Sequence, residues 1–159
     1  MLRGLKFCGA LILNSFVAII GSAVLENTMG KAFRPQSLAA ILWKEWSLSL
    51  LCAALLGFFI LRTWRMSAAK WTWILPSVWF GLRLVLALLV RVGQGIFTGE
   101  SIWSQFSGTD CVNGMRSIGC RNFFLFTIPF IRGVSYSGGA YFSSLLSQPK
   151  SQPAPAPRN

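Results

Sequence analysis

Two arginines and two cysteines are the residues of this chain with chemistry to offer. Arg83 lies well inside the apolar run Trp71 to Val90, and Arg132 follows the apolar stretch Phe123 to Ile131. A guanidinium stays charged at any physiological pH, so it cannot shed its charge to enter hydrocarbon. Placing one near the bilayer centre costs about 2.5–3.5 kcal/mol on insertion scales. Counted from Arg91 and from Asn122, the outer ends of their runs, both arginines lie about 12–15 Å deep at the rise of a helix. They are therefore expected at similar depth.

The apolar runs hold no Asp or Glu. The acceptors left within the chain are helix carbonyls, Asn14, serine hydroxyls and Tyr136. Outside it they are a carboxylate on a partner helix, a lipid phosphate or a small anion. The plain alternative is that both side chains snorkel to the outer interface.

Cys111 and Cys120 enclose Asn113, Gly114 and Gly119, residues that let the backbone turn back on itself. If this loop faces an oxidising compartment, the two pair as a disulfide. For so short a loop the gain is about 2–3 kcal/mol, enough to fix local shape but not the fold. Cys8 and Cys52 fall in or beside apolar runs, where cysteine is a small packing residue.

Catalytic and cofactor chemistry finds little support. The chain has no His, so the commonest general base and metal ligand is absent. It lacks the Cys-x-x-Cys pair that tunes a thiolate in membrane thiol oxidoreductases. Ser67-Ala68-Ala69-Lys70 matches the Ser-x-x-Lys of acyl-transfer enzymes, with neither Ser-Asp-Asn nor Lys-Thr-Gly to accompany it. No phosphate-cradling glycine loop and no nucleophile elbow occur. The reading is of a chain that is not an enzyme, with no catalytic, cofactor or metal site.

The elements that must position the arginines and cysteines follow from composition. Of the 159 residues, 53% are hydrophobic and only 12% charged, with 15 Lys and Arg against 4 Asp and Glu; mean hydropathy is +0.56. A soluble domain carries about 25% charged residues, so this chain belongs in a lipid bilayer. Its basic residues fall in twos and threes between apolar runs instead of clustering on one face, which argues against nucleic acid as a partner.

The expected fold is all-α, a polytopic integral membrane protein of about four transmembrane helices with no β-sheet. The spans are about 7–25, 43–64, 71–90 and 122–146, within a single domain over 1–148. If the basic start and first run are a cleaved leader, three spans remain. Pro35, Gln36 and Ser37 offer a break and N-cap before the second span. Trp43 and Trp46 at one end of it and Trp64 at the other form aromatic belts, and Lys44 and Glu45 stay at the boundary by snorkelling. Pro76 sits in the first turns of the third span, where a missing donor costs least.

The segment 91–121 is the sizeable loop. Thr98 and Ser101 offer caps for a short interfacial helix with Ile102, Trp103 and Phe106 on one face. The tail 149–159 carries four prolines and reads as disordered. Small residues recur every four positions at Ala10, Asn14, Ala18 and Ser22, at Ser49, Ala53 and Gly57, and at Ser135, Gly139 and Ser143. Such stripes let two backbones approach, and Asn14 can add a hydrogen bond.

With the N-terminus inside, the inner segments hold Arg3, Lys6, Arg62, Arg65, Lys70, Lys150 and Arg158, and the acids Glu26, Glu45, Glu100 and Asp110 all lie outside. The density of inner charge beside the spans favours cytoplasmic termini and an external loop. The expected setting is the plasma (inner) membrane. The function expected is a small accessory or scaffold subunit of a larger membrane complex, touching other transmembrane subunits. The alternative is binding or transport of an anionic solute or lipid through Arg83 and Arg132.

Overall fold

The computed structural model describes residues 2–30, 38–64, 67–95, 99–113 and 116–147. Every element among them is helical. The chain makes four rods. The first is α1 (Leu2–Phe16), a π-helical turn over Val17–Gly21, and α2 (Ser22–Gly30). The second is the unbroken α3 (Leu38–Trp64), and the third joins a 3-10 turn at Ser67–Trp71 to α4 (Ile74–Gly93). After α5 (Gly99–Ser107) and a 3-10 turn at Thr109–Asn113, the fourth rod combines α6 (Ile118–Asn122), a second π turn at Phe123–Thr127 and α7 (Ile128–Leu146).

Local chemistry sets several boundaries. Ser117 is extended and caps α6, its Oγ accepting from the Cys120 N–H at 3.0 Å. Rod four therefore begins four residues before the expected Asn122. Gly108, at φ +76°, stops α5 in a conformation that side chains resist. Pro76 is in the first turn of α4 and buried, as its missing donor dictates. The segment 91–121 is thus largely helical rather than an open loop. Within α5 Phe106 is buried and Ile102 half-buried while Trp103 stays exposed. The expected break at Pro35 to Ser37, the cap Thr98 and the tail 149–159 lie outside the described residues.

The tightest packing joins α3 to α7. A Cβ on Gly57 would overlap the Tyr136 carbonyl, and one on Gly139 would overlap the Ala54 carbonyl. Each carbonyl comes three residues before the partner glycine, the register of two parallel helices in backbone contact. The ring pairs Trp46 with Phe123 and Phe58 with Phe142, at 6.4 and 6.3 Å, follow the same direction. Rod one runs antiparallel to α3, with Gly21 against Leu56 and Met29 against Cys52. Rod three runs antiparallel to α7: the Trp73 N–H donates to Ser137 Oγ at 2.9 Å, Gly133 lies over the Pro76 ring, and Phe80 stacks on Phe130 at 4.7 Å. The rods alternate in direction. Leu2 and Ser147 share one end, and Gly30, Gly93 and α5 share the other, called here the loop end.

Three helical stretches, Arg3–Gly30, Trp43–Trp64 and Ser67–Gly93, are long and apolar enough to cross a membrane. Rod four is more polar because other helices cover it: Gly133, Tyr136, Ser137, Ala140 and Ser143 are all buried. Rod three is the least covered, with 11% of its apolar window buried against 28% for rod one.

Candidate functional site: two arginines in unlike settings

Arg132 projects from the second turn of α7 toward rod one. Its Nη1 donates to the Ile19 carbonyl at 3.1 Å, and its Nη2 pairs with Glu26 Oε2. Ile19 belongs to the first π turn, an irregularity of helices that is frequent at functional positions. Both charged side chains are nearly buried, at 12% and 10% exposure.

This pair overturns the expectation that no span supplies a carboxylate. Rod one does not end at Leu25; α2 continues to Gly30 and carries Glu26 inward against α7. Glu26 is therefore a buried acid within the bundle and not one of the loop acids. Ion pairing holds because each charge would otherwise be stranded in a low-dielectric interior.

Asn14 and Tyr136 are hydrogen-bonded to each other. The Tyr136 hydroxyl donates to Asn14 Oδ1 at 2.8 Å, and Asn14 Nδ2 donates to the Ala10 carbonyl at 2.7 Å. Both residues are shut away from solvent. They cross-link rods one and four, which is the role the small-residue stripe suggested for Asn14.

Arg83 has no carboxylate partner among the described residues. Its Nη2 donates to Asn122 Oδ1 at a long 3.4 Å, and its guanidinium carbon stands 5.7 Å from the Phe126 ring centroid. A cation over an aromatic face gains about 0.5–2 kcal/mol. Its Nε and the Asn122 Nδ2 are buried with no hydrogen-bond partner.

Nor do the arginines share a depth. The pairs Trp73 with Ser137, Pro76 with Gly133 and Phe80 with Phe130 fix the register of rods three and four. In that register Arg83 is level with Phe126 and Arg132 is about six residues further from the loop end, or roughly 9 Å. Counting each from the end of its own apolar run concealed this, because the runs end at different heights.

Cys111 and Cys120 are bonded, with their Cα atoms 4.6 Å apart. The bridge ties the 3-10 turn to α6 and so to Asn122, the acceptor for Arg83. The fit around it is close: a Cβ on Gly119 would overlap the Asp110 carboxylate. Thr127 Oγ1 donates to the Phe106 carbonyl at 3.0 Å and fastens α5 onto rod four. Of the remaining cysteines, Cys8 is exposed and Cys52 buried.

Sequence reasoning missed Glu26 and Asn122. The first had a signal, since the stripe Ala10, Asn14, Ala18, Ser22 continues with the same spacing to Glu26. The chain matches no family model, no curated protein and no solved structure.

Proposed function

We propose that this chain is a four-span, non-catalytic membrane protein that serves as a small accessory or scaffold subunit, docking through rod three onto a partner helix that carries a carboxylate. The observation that carries the reading is Arg83. It is a permanent cation without a carboxylate, on the rod whose apolar surface is least covered by the rest of the chain. Trp79, Leu86 and Val90, which share the face of that rod with Arg83, are all exposed, a surface that suits lipid or another helix, and a carboxylate beside Arg83 would favour the helix.

Rod four is read as the fourth span, since the three apolar stretches pack around it along its length. Both termini then face the cytoplasm and α5 with the disulfide faces outward, in the plasma (inner) membrane. Capture of an anionic solute or lipid by both arginines is the weaker reading, because the Arg132 charge is already spent on Glu26.

Purification in a mild detergent tests the subunit reading. A second polypeptide in fixed stoichiometry is expected, and a homogeneous single chain from native membranes would contradict it. Orientation is tested with single cysteines at the exposed positions Ser67 and Thr109 in a background without native cysteines. An impermeant maleimide should reach Thr109→Cys alone from outside; labelling of both from one side would reverse the topology.

A further inference from the structure

A cavity of about 340 Å³ opens at the loop end between rods one, two and four, lined among others by Ala23, Glu26, Asn27, Lys44, Glu45 and Arg132. That size falls at the lower bound of small-ligand pockets. Among the described residues its charges come in two opposite pairs: Glu26 and Arg132, which are nearly buried, and Lys44 and Glu45, which are half-buried. The nearly buried pair is incompletely matched. Glu26 Oε1 and Arg132 Nε are both buried without a hydrogen-bond partner, although their neighbouring atoms pair. Neither Lys44 nor Glu45 has an ion-pair partner among the described residues.

We infer that this cavity binds a zwitterion made of a primary ammonium and a phosphate, the chemistry of a phosphoethanolamine headgroup. A net anion entering it would meet two carboxylates, and a net cation would meet two basic groups. A zwitterion gains at both, its ammonium at Glu26 or Glu45 and its phosphate at Lys44 and Arg132. The primary amine follows from the lining. Unmatched carboxylate oxygens call for N–H donors, and no aromatic ring is among the described lining residues to favour a quaternary ammonium. The aromatic setting lies elsewhere, in the separate pocket of Trp43, Trp46 and Trp103.

A lipid is the favoured source. Lys44 follows Trp43, which is 73% exposed at the loop end, and tryptophans gather at headgroup level. This inference does not depend on the accessory-subunit reading.

The test is retention of added lipid by the detergent-purified protein, read by native mass spectrometry. Phosphatidylethanolamine should be held about tenfold or more over phosphatidylcholine, the worth of one charge-assisted hydrogen bond. Soluble glycerophosphoethanolamine, which has the same net-neutral phosphodiester and ammonium, should compete with it. Ala23→Leu, which fills the cavity, and Glu45→Gln, which removes the half-buried carboxylate but leaves the Glu26 and Arg132 pair, should each lower the preference, whereas Lys44→Gln should weaken retention of both lipids alike. Binding of glycerophosphoethanolamine without selectivity among lipids would assign the site to a free zwitterion. Equal retention of the two lipids with no binding of the soluble compound, or a preference untouched by both Ala23→Leu and Glu45→Gln, would overturn the proposal.

Discussion

Arg132 and Arg83 are the same residue type on adjoining rods, and their surroundings treat the charge in opposite ways. Around Arg132 the chain supplies a carboxylate from α2 and a carbonyl from a π turn, so the cation is neutralised within the bundle. Around Arg83 it supplies an amide oxygen at long range and a ring face. The difference shows that an arginine in an apolar run is not itself a functional sign. What distinguishes the two is whether a carboxylate meets the charge, and among the described residues only Arg132 has one.

The strongest way to break that contrast is to remove Arg132. Arg132→Leu leaves the buried Glu26 without its cation and should cost about 3–5 kcal/mol of stability, read as thermal unfolding in detergent. Glu26→Gln should be destabilising for the mirror-image reason. The double replacement Arg132→Met with Glu26→Leu should recover most of the loss, because an apolar pair of similar volume removes both desolvation costs. A double variant as unstable as the singles would mean that the pair does not act as a unit.

A smaller effect is expected at the disulfide that anchors the Arg83 side of the contrast. Replacing Cys111 and Cys120 by Ser should cost about 2–3 kcal/mol. It should also loosen α6, seen as faster amide exchange at Arg121 and Asn122 with protection at Tyr136 unchanged. Equal loss of protection at both places would show that the two regions are not separable.

Smaller again is Tyr136→Phe, which deletes the donor to Asn14 Oδ1 beside the Arg132 site. Interhelical hydrogen bonds in membranes average about 0.6 kcal/mol, so a loss near or a little above that value is expected. A loss as large as that of Arg132→Leu would place the weight of this region on the tyrosine instead of the ion pair.

The apolar rods were legible in the sequence because hydrocarbon demands long runs of apolar residues, and Trp43 to Trp64 is the clearest instance. The disulfide was legible from two cysteines enclosing turn residues. The Asn14 contact was legible from four-residue spacing, although its partner was not. Glu26 directly follows an apolar run, where an acid reads as the end of the span. A buried arginine on a rod far along the chain let the helix continue past it. The relative depth of the arginines was beyond reach, since it depends on how rods three and four slide past each other. That slide is set by Gly133 fitting over Pro76 and by Phe80 on Phe130, contacts that no single run contains.

The most direct measurement compares Arg83→Gln with the unaltered protein for two quantities at once, thermal stability in mild detergent and the stoichiometry of the co-purifying polypeptide that the proposed subunit role requires. Arg83 has no carboxylate to strand, so stability should change by less than about 1 kcal/mol or rise, while the partner should be lost. Retention of the partner at full stoichiometry, or a loss of stability comparable to that of Arg132→Leu, would contradict the assignment of Arg83 as the cation completed from outside.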